Sequence, residues 1–367
     1  MRGKRYADPF VLAAALATAC TVFDGVGVPA GADASTPSAR DDTTSNGNGT
    51  SQAAADAGAA VGFAYEPVPA GCVTDVSAGH HAFTCEGLSV DVMVPAMKTG
   101  CAAAGCGLIL ELHGDTGSGP LFDAHLRLLE RGAARGFVVV APTGPLIGTI
   151  GNPPITPPGS TWGPALDAPL ITITKTIAGV FHADAKRIHV AGFSRGGYTA
   201  LRFACDQATY FASVVAGGSG NGGMLLPMPG PEATCFEGMR YPTRPIDIQL
   251  LMGRTDSRYP NLVSARDNAL AHYGLVTADV KDVQAAVPDA TFQRAVHDGK
   301  PVVEWIDHAY EVDPANADPY SRTARGHRVP GSTVPVTVDR YNVACKGPTA
   351  VDWGATILDF FAAHPLP

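Results

Sequence analysis

Charged side chains are scarce in this chain. Lys, Arg, Asp and Glu make up 16% of its 367 residues, hydrophobic residues make up 46%, and the formal net charge is −8. The basic residues form no stripe of the kind that follows a phosphate backbone, so the composition argues against a nucleic-acid partner. The hydrophobic share is large enough to build an extensive core.

The apolar run near the start of the chain, residues 10–19, is too short to span a membrane. It follows a basic stretch, so we predict a signal peptide over residues 1–20. Two interpretations of its end remain open. Residues 17–19 fit an ordinary A-x-A cleavage site, whereas residues 16–20 resemble a bacterial lipobox, in which Cys20 would carry a lipid anchor. Either interpretation predicts a secreted or cell-envelope-anchored, extracytoplasmic protein.

Large apolar residues are nearly missing from residues 21–60, which are rich in Ala, Gly, Ser, Thr, Asp and Asn. Such a segment cannot bury enough surface to offset the entropy lost on ordering, so we predict a disordered linker. The composition becomes globular from about Gly62, with no internal repeat and no second linker. Residues 61–367 are therefore predicted to form one domain.

Spacings typical of metal ligands are missing among the eight cysteines, and no histidine pair lies near Cys101 and Cys106. We therefore predict neither a metal nor another cofactor. With Cys20 set aside seven cysteines remain, so at least one is free or pairs outside the chain. Three local disulfides are plausible: Cys72–Cys85, Cys101–Cys106 and Cys205–Cys235.

Apolar strand patterns alternate with helical patterns along the domain, which predicts a mostly parallel central sheet flanked by helices, an α/β fold. The pattern at 87–95 is typical of a half-exposed edge strand. The other predicted strands cover 107–113, 137–142, 187–193, 211–217, 246–253 and 302–306. The predicted helices cover 121–135, 167–182, 195–205, 262–273 and 353–363.

The stretch G-F-S-R-G, residues 192–196, lies between a predicted buried strand and a predicted helix. In a nucleophile elbow of this pattern the serine occupies a strained turn, and the glycines leave room for the backbone. Ser194 is therefore the candidate nucleophile. The backbone N–H of Arg195, at the start of the helix, would face a developing oxyanion.

A serine nucleophile needs a base that an acid orients, and on this fold the order along the chain is Ser, Asp or Glu, His. Asp256 follows the apolar strand that ends near Gly253, which makes it the best candidate acid. Asp267 and Asp282 lie in or near predicted helices and are poorer candidates.

Five histidines follow Asp256 in the chain: His272, His297, His308, His327 and His364. Position after the last predicted strand favours His308 or His327 as the base. The glycine-flanked loop around His327 favours that residue on grounds of access.

An oxyanion hole needs a second backbone donor, and the loop that begins at His113 follows a predicted strand as such loops do. The N–H of Asp115 is the expected donor, with that of Thr116 as the alternative. His113 precedes Ser194, so we expect it to brace this loop rather than to act as the base.

Four motifs together resemble the secreted polyhydroxybutyrate depolymerase and feruloyl esterase group of α/β-hydrolases. They are L-H-G-D-T-G-S-G, G-F-S-R-G-G, G-R-T-D-S-R-Y-P and G-H-R-V-P-G, and the resemblance extends over roughly residues 85–365. It implies an α/β-hydrolase fold and triad roles for Ser194, Asp256 and His327.

The resemblance also implies an exported serine esterase that cleaves ester bonds of polyesters or their oligomers. A feruloyl or acetyl-xylan esterase and a peptidase on the same fold are alternative enzymes. A surface binding protein that keeps the hydrolase fold without activity is an alternative of a different class.

Overall fold

The computed structural model describes residues 71–96, 105–147, 159–220, 234–285, 287–317, 322, 324–337, 339 and 343–367. The chain divides after Ala60, and all the described residues belong to the second unit, Val61–Pro367. The predicted signal peptide, the predicted linker, Cys20 and Cys101 lie outside the described residues.

A ten-stranded sheet, in the order β1-β2-β4-β3-β7-β8-β9-β12-β11-β10, forms the centre of the described domain. A separate hairpin pairs β5 with β6. The strands are β1 (Gly79–Cys85), β2 (Leu88–Val94), β3 (Gly107–Leu112), β4 (Phe137–Thr143), β5 (Leu146–Ile147), β6 (Gly159–Ser160), β7 (Ile188–Phe193), β8 (Ser213–Gly217), β9 (Asp247–Gly253), β10 (Val280–Asp282), β11 (Ala290–Ala295) and β12 (Val303–His308).

The six central strands, from β4 to β12 in the sheet order, are parallel to one another. Antiparallel strands extend the sheet at both ends, β2 and β1 on one side and β11 and β10 on the other. Parallel strands are covered on both faces, which explains why the central strands read as nearly continuous apolar runs. The prediction of a mostly parallel α/β sheet is confirmed.

Helices cover both faces of the sheet. They are α1 (Gly119–Leu126), α2 (Leu128–Ala134), α3 (Asp167–Val180), α4 (Arg195–Asp206), α5 (Tyr259–Tyr273) and α6 (Trp353–Ala363), with short 3-10 turns at Pro164–Leu166, Ala185–Arg187 and Thr277–Asp279. Buried side chains of α3, α4 and α5 share one hydrophobic cluster, and those of α1, α2 and α6 share the other. Each large aliphatic side chain buried there contributes about 1.5–3 kcal/mol.

The strand β3 shows how both clusters depend on the sheet. Leu108, Leu110 and Leu112 lie in the first cluster and Ile109 lies in the second, and none of these side chains is exposed. Successive side chains of a strand point to opposite faces, so the uniformly apolar sequence is what a strand between two helical layers requires.

The predicted edge strand at 87–95 is β2, which is not at the edge of the sheet. The strand β1 pairs with it on the outside, from Gly79 opposite Val94 to Cys85 opposite Leu88. The hairpin between them turns at Glu86 and Gly87, both with positive φ. Five of the seven residues of β2 are buried, and the half-polar pattern comes from exposed Ser89 and buried Asp91.

The predicted helix at 121–135 is two helices, α1 and α2, because the backbone turns left-handed at Arg127, with φ 57°. The Asp123 carboxylate accepts a hydrogen bond from the Leu129 N–H at 2.7 Å. That bond satisfies a backbone donor at the start of α2, which stabilises the break.

The end of the sheet that carries β12 also differs from the prediction. β12 extends to His308, so this histidine is part of the strand and does not follow it. The antiparallel strands β11 and β10 beyond it were not predicted. Their side chains are only partly buried, so their sequences lack the apolar runs of the central strands.

Two of the three predicted disulfides are present, Cys72–Cys85 and Cys205–Cys235. Cys106 is disulfide-bonded as well. Cys345 is a buried free thiol. Disulfides form and persist in oxidising compartments, so this cysteine usage is consistent with an extracytoplasmic protein.

No helix within the described residues is long and apolar enough to cross a membrane.

Glu111 is a charged residue type at a completely buried position of β3. Burial raises the pKa of its carboxyl well above the usual value, and the neighbouring charge of Asp123 raises it further. The folded protein therefore holds a proton on Glu111 at pH values where the unfolded chain has released it. Linkage requires the stability to fall as the pH rises from about 4.5 toward the pKa of the folded state.

We expect Glu111→Gln, which cannot ionise, to have a higher free energy of unfolding than the wild type at pH 8. The gain should shrink as the pH falls toward 4.5, because the unfolded chain then also begins to protonate Glu111. Urea unfolding between pH 4.5 and pH 8 measures this difference. Glu86→Gln, at an exposed glutamate, is the matched control and should follow the wild type. A Glu111→Gln curve that parallels the wild type at every pH would contradict the account.

Candidate active site

The carboxyl ends of the parallel strands meet at one edge of the sheet, and the candidate residues follow these ends. The loop from His113 follows β3, Ser194 follows β7, and Asp256 follows β9. β3 and β7 are neighbours, and β9 is separated from β7 by β8 alone. The topology therefore brings together residues that are far apart in the chain.

Ser194 joins β7 to α4 in a strained backbone conformation, with φ 55° and ψ −118°. Such a conformation costs a non-glycine residue about 1–3 kcal/mol. Its N–H donates to Gly217 O at 2.8 Å, and its C=O accepts from the Tyr198 N–H at 3.0 Å. Serine is a favoured N-cap residue, but the Ser194 hydroxyl makes no capping hydrogen bond to α4. The residue is partly exposed, whereas its neighbours Phe193 and Arg195 are buried. The hydroxyl is therefore available to a substrate.

The glycines of the elbow are required by the packing of backbone on backbone. A Cβ on Gly196 would lie 2.1 Å from Leu112 O, at the end of β3. A Cβ on Gly192 would lie 2.2 Å from Gly196 O. Any side chain at either position would push α4 away from the sheet, so the G-x-S-x-G pattern follows from the geometry of the turn.

Asp256 lies in the tight turn after β9, where its N–H donates to Gly253 O at 2.9 Å. One carboxylate oxygen accepts from the Arg258 N–H at 3.0 Å, and the other accepts from His327 Nδ1 at 2.6 Å. Burial alone would raise the pKa of this carboxyl. The charge and hydrogen bond of His327, together with Arg258, outweigh burial and lower the pKa, so Asp256 is ionised at neutral pH.

His327 presents a buried imidazole whose Nδ1 faces Asp256. The ring packs on Phe193, the residue before Ser194, with 4.6 Å between centroids. A Cβ on Gly218 would lie 2.5 Å from its Cε1, so the ring also contacts the backbone after β8. Burial lowers the pKa of His327 and Asp256 partly offsets this. The ring is therefore neutral at pH 7, with the proton on Nδ1 and the lone pair on Nε2.

His308, the alternative base, is completely buried at the end of β12, and neither ring nitrogen has a hydrogen-bond partner among the described residues. Burial lowers the pKa of His308 to about 3. Its ring stacks on Tyr310, with 5.5 Å between centroids. The hydrogen bond to Asp256 thus belongs to His327. The other three histidines after Asp256 bond or stack elsewhere: His272 on Tyr241, His297 with Asp279 and His364 with Phe360 O.

The loop after β3 lies against the candidate nucleophile. A Cβ on Gly114 would lie 3.7 Å from Ser194 Oγ. The N–H of Thr116 donates to Ser160 O at 2.8 Å, so it is not available to a substrate. The N–H of Asp115 has no acceptor within the part of the chain that the structure describes. Of the two donors that the sequence left open, Asp115 is the one that the geometry favours.

His113 braces this loop from inside the protein. The Gly144 N–H donates to its Nε2 at 3.0 Å, so the proton lies on Nδ1, which donates to Gly114 O at 2.6 Å. Burial lowers the pKa of His113 to about 4, which keeps the ring neutral. Trp162 packs on the ring and its Nε1 donates to His113 O at 2.9 Å. The expectation that His113 supports the loop agrees with these contacts.

Sequence reasoning missed the supports of the candidate histidine. Phe193 contacts the His327 ring, and Gly218, with φ 56°, leaves space beside it. The pair Gly217-Gly218 at the end of a predicted strand could have indicated a close approach of backbone to a side chain. Among the described residues, no group of three or more His, Cys, Asp or Glu residues could hold a metal ion.

Residues 110–344 match the sequence model of the alpha/beta hydrolase family, and the chain belongs to that family. The ten-stranded, mostly parallel sheet flanked by helices is accordingly an α/β-hydrolase fold, as the resemblance implied. No curated protein shows significant sequence similarity to the chain.

The chain also matches a number of solved structures, three of which follow. An acetyl xylan esterase from Aspergillus awamori is 13% identical, with 67% of this chain and 100% of that chain covered and a TM-score of 0.47. An S-formylglutathione hydrolase from Staphylococcus aureus is 17% identical, with coverages of 53% and 86% and a TM-score of 0.39. A ferulic acid esterase is 15% identical, with coverages of 53% and 85% and a TM-score of 0.37. The family assignment rests on the match over residues 110–344.

The two buried histidines should respond in opposite directions to replacement by leucine. We expect His308→Leu to keep or raise the free energy of unfolding, because it removes two buried nitrogens that have no partner in the described part of the chain. His327→Leu leaves the buried Asp256 carboxylate without its imidazole and should cost about 1–3 kcal/mol. Urea unfolding at pH 7 compares the two variants. A larger loss for His308→Leu than for His327→Leu would contradict the described bonding.

Proposed function

We propose that the protein is an exported serine esterase in which Ser194 is the nucleophile, His327 the general base and Asp256 the residue that orients the base. The observation that carries the proposal is the 2.6 Å hydrogen bond between His327 Nδ1 and Asp256, next to an elbow serine whose hydroxyl is not used as a helix cap. These are the parts that nucleophilic acyl transfer requires.

In the first half of the reaction, Ser194 Oγ attacks the ester carbonyl carbon while His327 Nε2 accepts the hydroxyl proton. The ionised Asp256 stabilises the imidazolium that results. The carbonyl oxygen becomes an oxyanion and accepts hydrogen bonds from the N–H groups of Asp115 and Arg195, the latter at the N-terminus of α4. His327 then gives the proton to the leaving alcohol as the carbon–oxygen bond breaks.

The second half repeats these steps with water. The acyl group is now bound to Ser194 Oγ, and His327 takes a proton from the attacking water. The second tetrahedral intermediate collapses by breaking the bond to Ser194, which recovers its proton from His327. The products are one alcohol and one carboxylic acid, and the chain's own groups carry every proton.

We further propose that the substrate is a polyester or its oligomers, on the strength of the four motifs shared with the polyhydroxybutyrate depolymerase and feruloyl esterase group.

We expect Ser194→Ala to lower the turnover of a short p-nitrophenyl ester by several orders of magnitude, because the members of a triad act as a unit. The folding of the variant should be unchanged, since the Ser194 side chain caps no helix. A serine-directed phosphonate should label the wild type and not the variant. Turnover on polyhydroxybutyrate, feruloylated sugars and acetylated xylan, measured in parallel, ranks the substrate classes.

Ser219→Ala is the matched control, at a buried serine that follows the neighbouring strand β8, and it should keep both turnover and labelling. Labelling that persists in Ser194→Ala would show that another residue is the nucleophile. A wild type that takes up no phosphonate and hydrolyses no ester would favour the surface binding protein.

Export is the second part of the proposal, and the disulfides Cys72–Cys85 and Cys205–Cys235 support it. If the lipobox interpretation is correct, the mature protein begins at a lipid-modified Cys20 and partitions into detergent. Mass spectrometry of the N-terminal peptide after expression in a bacterial host tests this. Cys20→Ala should release the protein into the aqueous phase. An unmodified wild-type N-terminus would contradict lipidation and support ordinary secretion.

A further inference from the structure

The two backbone donors proposed for the oxyanion belong to residues whose side chains meet. Arg195 Nε donates to Asp115 Oδ1 at 3.3 Å, across 80 positions of sequence. The Arg195 side chain is 1% exposed and that of Asp115 is 15% exposed. The pair therefore joins the start of α4 to the loop after β3 in a largely dry environment, where an ionic hydrogen bond is stronger than at the surface.

Thr161 completes this arrangement from a third segment. Its hydroxyl donates to the same oxygen of Asp115. The flanking residues hold the loop as well, since Ser160 O accepts from the Thr116 N–H and Trp162 Nε1 donates to His113 O. The Asp115 carboxylate is thus the point at which the oxyanion loop, the segment after β6 and the elbow helix are joined.

The charges of the Asp115 and Arg195 side chains also affect the proposed oxyanion site. An unpaired carboxylate at Asp115 would repel the oxyanion that the N–H of the same residue is proposed to bind. The positive charge of the Arg195 guanidinium balances the negative charge of that carboxylate, so the pair itself has no net charge before the reaction. A donor fixed in advance stabilises an oxyanion better than one that must move into place.

We propose that the Asp115–Arg195 side-chain pair, supported by Thr161, fixes the spacing of the two N–H groups that hold the oxyanion. Both side chains are then positioning groups in addition to the donor role of their backbones. This inference rests on the proposed esterase function. It predicts that breaking the pair affects the chemical step and leaves substrate binding nearly unchanged, because the oxyanion exists only after attack.

The test measures kcat and KM on a p-nitrophenyl ester for Asp115→Asn, Arg195→Met and the double variant. The concentration of active sites in each preparation is taken from its phosphonate uptake at the end point. We expect each single variant to lower kcat by about 10²-fold, the size of losing one oxyanion donor, with KM nearly constant. Because the two side chains act through one contact, the double variant should lose less than the product of the single losses. Arg195→Lys, which keeps the charge, should recover part of the activity.

Arg202→Met is the matched control. Arg202 is another buried arginine of α4, and its Nε and Nη2 bond to Asp167 at 2.6 Å, away from the oxyanion loop. This variant should lower the melting temperature and keep kcat per counted site. A purely structural role for Arg195 would give the same result for both arginines and would overturn the inference.

The remaining outcomes are also decisive. Wild-type kcat in either single variant, or single losses that multiply in the double variant, would refute the pair as a positioning device while Ser194→Ala stays inactive. Absence of turnover and of labelling in the wild type would refute the proposed function itself, and the inference with it.

Discussion

The candidate site depends on one contact between backbones, the approach of Gly196 at the start of α4 to Leu112 O at the end of β3. This contact sets how closely the elbow helix lies on the sheet, and it places Ser194 beside Gly114 in the neighbouring loop. A strained φ at Ser194 is tolerated because β7, β8 and α4 all hold the turn by hydrogen bonds and packing. The geometry of the site, like the packing of α4 on the sheet, therefore requires glycine at the elbow.

The charge states of Asp256 and His327 follow from their burial and from the groups that hydrogen-bond to them. Asp256 remains ionised although it is buried, because the Arg258 N–H and His327 bond to its two oxygens. His327 remains neutral because burial outweighs the charge of Asp256. A neutral imidazole beside an ionised carboxylate is the arrangement that the proposed general base catalysis needs at neutral pH. His308 has no such partner among the described residues, and burial lowers its pKa to about 3, so its ring is uncharged at neutral pH.

Sequence alone predicted the features that local patterns encode. Buried parallel strands read as apolar runs, and the glycines around Ser194 mark the elbow. The split between α1 and α2 was missed because it depends on one hydrogen bond from the Leu129 N–H to the Asp123 carboxylate, which leaves the apolar spacing helical. The strands β10 and β11 were missed because β10 has only three residues and both are only partly buried. The partner of Asp256 is 71 positions away in a loop, and such a pairing is fixed by the tertiary fold. Sequence narrowed the candidate base to His308 or His327 and favoured His327 through its glycine-flanked loop and the family resemblance, but the contact with Asp256 itself could not be predicted.

The measurement that tests the central claim most directly is the structure of the wild-type protein after reaction with a phosphonate ester. The account predicts phosphorus bonded to Ser194 Oγ, with the phosphoryl oxygen accepting from the N–H groups of Asp115 and Arg195. It also predicts His327 Nε2 within about 2.6–3.2 Å of Ser194 Oγ. Phosphorus on another residue, a phosphoryl oxygen turned away from both N–H groups, or His308 in the place of His327 would contradict it.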